Sequence, residues 1–218
     1  MSEVNNQFWI QEYITKVPPI VMSDPFLEIL GQIEGSIPYS YGDIVKFSGH
    51  SCVTVAGAWA ITRKALETLY PNETPVRGQI RITPPGAENE GVIGVMGEVM
   101  SFITGAASKA GFPGAGFGKA YNRRGLMQYS EKFMNVHPVN AVWVFERFDT
   151  GAKVGVRYDS SKVQPYAKRE HGDLMPKIGE RKATPEETKE WVEAWNTRAR
   201  FVLENADNVP GMIIVEKL

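Results

Sequence analysis

Residues 47–70 read Phe-Ser-Gly-His-Ser-Cys-Val-Thr-Val-Ala-Gly-Ala-Trp-Ala-Ile-Thr-Arg-Lys-Ala-Leu-Glu-Thr-Leu-Tyr. Val55, Trp59, Leu66 and Leu69 recur at steps of four, seven and three, with Ala56, Ala60 and Ala65 between them. That spacing draws one apolar stripe along a helix over residues 51–70. Ala56, Gly57 and Ala58 are small enough for another element to approach the helix closely. Gly49 permits a bend before it. Ser51 is the expected N-cap, which places Cys52 in the first helical turn, and Pro71-Asn72 close the helix.

Toward the N-terminus, Phe8, Trp9, Ile10, Tyr13 and Ile14 suggest a short helix over residues 4–16, stopped by Pro18-Pro19. Ser23-Asp24-Pro25 reads as a second helix start, with Phe26, Leu27, Ile29 and Leu30 on its buried face. Residues 38–42 read as a turn-rich connector. Toward the C-terminus, residues 76–83 alternate Val, Gly, Ile, Ile against Arg, Gln, Arg, Thr, the pattern of a half-buried strand. A helix is expected around 95–104, and short strands near Met127, Tyr129, Phe133 and Met134. Residues 141–148 and 152–158 are strands joined by an Asp149-Thr150-Gly151 hairpin loop. Residues 160–182 read as a polar, exposed excursion. Thr184-Pro185-Glu186-Glu187 is a capping box that opens a helix to about Asn205, with Trp191, Val192, Trp195, Ala199 and Val202 turned inward. Residues 212–215 form a last short strand.

Helices and antiparallel strands mix without strict alternation. The expected class is therefore α+β, an antiparallel or mixed sheet packed against helices, as a single domain over 1–218. Hydrophobic residues at 43% and charged residues at 22% are sufficient for a globular core. A single cysteine excludes an internal disulfide and an all-cysteine zinc knuckle. A net charge of −1 gives no general attraction to nucleic acid or to an anionic membrane. The apolar runs are shorter than a membrane span and the first residues lack a signal-peptide pattern, so a cytoplasmic location is expected.

His50 and Cys52 are the first candidates for chemistry. One residue apart across a bend, an imidazole and a thiolate at a helix start can share a soft divalent metal. The plain alternative is a small buried cysteine beside a hydrogen-bonded histidine. Residues 111–119 form a glycine-rich loop that fails the phosphate-loop template: Pro113 and Ala120 stand where glycine and Ser or Thr are required. Gly116, Gly118 and Lys119 are nevertheless candidates to line a pocket. Glu98 is a lone acid in an apolar stretch, a third metal ligand or, with Lys119, half of an acid–base pair. His137 and His171 are more distant ligand candidates.

Phe47-x-Gly49-His50-x-Cys52, the apolar helix after it, and Gly116-Phe117-Gly118-Lys119 before a strand hairpin resemble the FmdE-like family, domains related to a component of formylmethanofuran dehydrogenase. The family pattern is F-H-G-H-x-C-P-G followed by G-C-T-F-G-K-G-N. Ser48 replaces its first histidine, Val53-Thr54 replace Pro-Gly, and Ala115 stands where the second motif has cysteine. The resemblance covers about residues 40–160, the domain's core, and implies an α+β domain, commonly a homodimer, that often holds zinc or another divalent transition metal, here on His50 and Cys52. Catalysis, if present, would then fall to Cys52, Lys119 or Glu98. The alternative is a non-catalytic accessory or small-molecule-binding protein with a degenerate metal site, its ligand beside the glycine loop.

Overall fold

A computed structural model describes residues 8–115, 121–132, 141–163, 172 and 174–218. The elements run α1 (Tyr13–Lys16), β1 (Ile20–Ser23), α2 (Pro25–Ile29), β2 (Ser36–Tyr39), α3 (Tyr41–Ser48), α4 (Val53–Leu69), β3 (Ile80–Thr83), α5 (Ile93–Thr104), β4 (Trp143–Arg147), β5 (Lys153–Tyr158), α6 (Leu174–Gly179), α7 (Pro185–Asn205) and β6 (Ile213–Lys217). A four-stranded antiparallel sheet, in the order β3-β4-β5-β6, packs against several helices. A second, two-stranded sheet pairs β1 with β2. No helix among the described residues is long and apolar enough to cross a membrane.

The helix read from residues 51–70 is the hub. α4 packs against α5, α7 and β5, and Val55, Trp59, Leu66 and Leu69 are buried as their spacing predicts. Gly57 is the close-approach point: a Cβ there would lie 2.2 Å from the Tyr158 ring of β5. Trp59 meets Tyr41 edge-to-face, with ring centroids 5.6 Å apart. At the other end of α4, Arg147 of β4 donates to the Leu69 carbonyl at 3.0 Å, satisfying a last-turn acceptor that has no partner within the helix.

Several boundaries differ from the sequence reading. The N-terminal helix is only four residues of the expected thirteen, within the described part. The connector expected at 38–42 is instead the end of β2 and the start of α3. Ser40 and Asp43 form a capping box there: the Asp43 amide donates to Ser40 Oγ at 3.1 Å, and the Ser40 amide to Asp43 Oδ2 at 3.0 Å. Ser40→Ala removes one half of this box, and urea unfolding is expected to register a loss of about 1 kcal/mol. Val192 is exposed on α7 while Ala199 and Val202 are buried and Trp191 and Trp195 are half-buried. The polar excursion contains α6 and buries Val163 and Leu174 against the fold. The expected strand residues Phe133 and Met134 lie outside the described residues, whereas Met127 makes an isolated bridge to Ile82.

Candidate functional site

At the amino end of α4 the structure corrects the metal reading. Cys52 is itself the N-cap of the helix, with φ −149° and ψ 175°, so its thiol does not sit in the first turn. It is half-buried. His50 is exposed, its Nδ1 lies 3.2 Å from the Ser48 carbonyl, and its ring tilts against Trp195 at a centroid distance of 6.4 Å. Glu98 lies on α5 and lines a different cavity, whose wall includes neither His50 nor Cys52. Among the described residues no group of three His, Cys, Asp or Glu side chains is placed to hold a metal ion. The expected zinc or other transition-metal centre on His50 and Cys52, and with it the metal-binding function, is therefore overturned: two donors without a third do not make a coordination shell. His137, His171, Gly116, Gly118 and Lys119 lie outside the described residues, so the Glu98–Lys119 pair does too.

What organises this end of α4 is Ser51. Its hydroxyl lies 2.8 Å from Tyr41 Oη and 3.0 Å from Tyr13 Oη, and its carbonyl accepts from Trp195 Nε1 at 2.6 Å. Tyr13 Oη also lies 3.0 Å from Asn196 Oδ1. Burial pushes the phenols of Tyr41 and Tyr158 far above the ordinary range, so both stay protonated. The cluster pins α1, α3 and α7 together around the start of α4. This is a structural latch.

The second cluster lies at the far end of α5. Asp24 caps α2, accepting the Phe26 amide at 3.1 Å and the Leu27 amide at 3.3 Å. The same carboxylate accepts Arg123 Nη2 at 2.6 Å and Arg77 Nη1 at 3.1 Å, and it is fully buried. Arg77 is pinned further: Nε and Nη2 donate to the Ile103 and Phe102 carbonyls, both at 3.1 Å. These are last-turn acceptors of α5, where a cation also complements the helix dipole. Gly105, in the left-handed region at φ +73°, ends α5, and a Cβ there would sit 3.0 Å from the Arg77 side chain. Burial opposes ionisation of Asp24, but Arg123, Arg77 and the Leu27 amide outweigh it and hold the carboxyl below its usual range.

After Gly105 the chain turns back on itself. The Ala107 amide donates to the Arg123 carbonyl at 3.1 Å, the Arg123 amide to the Pro113 carbonyl at 2.9 Å, and the Met127 amide to the Ala107 carbonyl at 3.1 Å. This lacing presents Arg123 and Arg124 to an open cavity of about 700 Å³ beside the described part of the glycine loop. Phe47, Phe102 and Phe112 supply apolar wall, and Arg77, Glu98, Ser101 and Ser108 add polar groups. Phe47 stacks on Phe102 with centroids 5.0 Å apart. A smaller cavity of about 250 Å³ lies near the starts of α4 and α5, lined by Val53, Ile93, Met96 and Trp143 among others.

Sequence reasoning does not single out Asp24, Arg77, Arg123 or Arg124. Asp24 reads as an ordinary cap, and Arg77 falls on the polar side of the predicted strand. The adjacent arginines after a glycine-rich loop are the only local hint. Compared with known proteins, the chain matches no family model and no curated protein.

Proposed function

We propose that this chain is a metal-free, small-molecule-binding domain of the FmdE-like type, with its ligand in the cavity beside the glycine loop. The observation that carries this reading is the cavity itself. A concavity of about 700 Å³ with aromatic walls and a few converging polar side chains is the usual form of a ligand site. The resemblance of the Phe47–Cys52 and Gly116–Lys119 motifs supports the domain type. Its implied homodimer is carried with the reading. Sedimentation should then give twice the 24.2 kDa of one chain.

A neutral planar probe, 2-naphthamide, tests the cavity. It is expected to bind the wild-type chain, with chemical-shift changes at Phe102 and Ser108, and EDTA should leave both binding and melting temperature unchanged. Ser108→Trp places an indole in the cavity wall and is expected to abolish binding while the protein still melts cooperatively. Binding that survives Ser108→Trp, or that disappears on chelation, would remove the proposal.

A further inference from the structure

The cavity wall carries an unbalanced charge. Three guanidinium groups, of Arg77, Arg123 and Arg124, meet two carboxylates, of Asp24 and Glu98. Asp24 is spent: two amides and two arginines already occupy its oxygens. Arg77 is spent as well, on Asp24 and the two α5 carbonyls. Arg123 makes one ion pair, through Nη2 alone, and its side chain is only 11% exposed. Arg124 lines the same cavity, and among the described residues neither it nor Glu98 takes part in an ion pair. Guanidinium donors therefore remain at the wall with no carboxylate to receive them. Arg123, largely shielded from water, attracts an anion more strongly than a solvated guanidinium would, and the exposed Arg124 adds a second charge beside it.

Resting on the ligand-binding reading above, we infer that the cavity takes a small organic anion with a single acidic head group. Its carboxylate or phosphate is held by Arg123 and Arg124, and its flat apolar body lies against Phe47 and Phe102. The stacked phenylalanines leave Phe47 half exposed, which provides apolar surface for such a body to cover. Glu98 limits the charge that the wall accepts. These five groups sum to one net positive charge, which a carboxylate matches, a phosphate monoester at about −2 exceeds and a polyphosphate exceeds further. Arg77 acts as a positioning residue: it fixes Asp24, and Asp24 fixes Arg123.

The test compares probes that share one ring system: 2-naphthoate, 2-naphthyl phosphate and neutral 2-naphthamide, titrated by calorimetry into the wild-type chain. One charge-assisted contact predicts that 2-naphthoate or the phosphate binds about tenfold tighter than the amide, and that this margin shrinks as salt is raised. Which of the two anions binds tighter identifies the preferred head group. Arg124→Gln, at an exposed position outside the buried pair, should fold normally and lose most of the margin, whereas Arg124→Lys should keep most of it. The amide's affinity, measured in all three proteins, is the baseline from which each margin is taken. Equal affinity for all three probes, or a margin untouched by Arg124→Gln, overturns the charge assignment and leaves the cavity reading standing. Failure of every probe to bind overturns both.

Discussion

Asp24→Ala is expected to lower the unfolding free energy by about 3–5 kcal/mol, the range for removing one member of a buried, hydrogen-bonded charge cluster. The carboxylate is fully buried, and its loss leaves two arginines without their common anion. It also removes the cap of α2 and loosens the guanidinium that seals the end of α5. The effect carries a pH signature. The Asp24 carboxyl is held below its usual range in the folded state, so its stabilisation is complete above the ordinary carboxylate range and is lost as pH falls through the depressed folded value. The stability gap between wild type and Asp24→Ala should therefore be constant near neutrality and narrow below about pH 4. Denaturant melts across that range measure it. A loss under about 1 kcal/mol at neutral pH would mean that the arginines find other partners and that the cluster does not hold the cavity wall.

Gly57→Val should cost about 3 kcal/mol or more, the upper part of the range for overpacking a filled core. A Cβ at this position would lie 2.2 Å from Tyr158 Cε1 and 2.4 Å from Cδ1, closer than any real contact, and the γ methyls add to the overlap. The tyrosine cannot swing clear, because it is 8% exposed and lies on a strand paired to β4 and β6. The gain in helix propensity on replacing glycine with β-branched valine, about 0.3 kcal/mol, offsets only a small part of the cost. Shortening the facing side chain with Tyr158→Leu should relieve the clash, so the two changes together should cost less than the sum of the single changes. Additive costs in that cycle would show that the strain lies elsewhere in α4.

These two positions mark the division between what is legible in the chain and what is not. The small residues at 56–58 announce a close approach, so the role of Gly57 is visible without knowledge of its partner. That partner, Tyr158, comes 101 positions later and is visible in sequence only as part of a strand. The metal reading fails for a related reason. The spacing of His50 and Cys52 permits a shared ligand, but coordination requires further donors, and the fold places Glu98 on another cavity while leaving His50 exposed.

The sequence by itself determined the elements whose signals are local: the stripe that makes α4, the apolar run of α5, the capping box of α7 and the alternating strands around residues 149–151. Period and capping act within a few residues, so they can be read in one dimension. Only the tertiary structure decided the cavity walled by Arg77, Arg123 and Arg124. Asp24 meets Arg77 across 53 positions and Arg123 across 99, through a β1–β2 hairpin and a folded-back segment after Gly105. Ion pairs at such separation leave no periodic trace, because the chain between them is constrained only by the packing that brings its ends together.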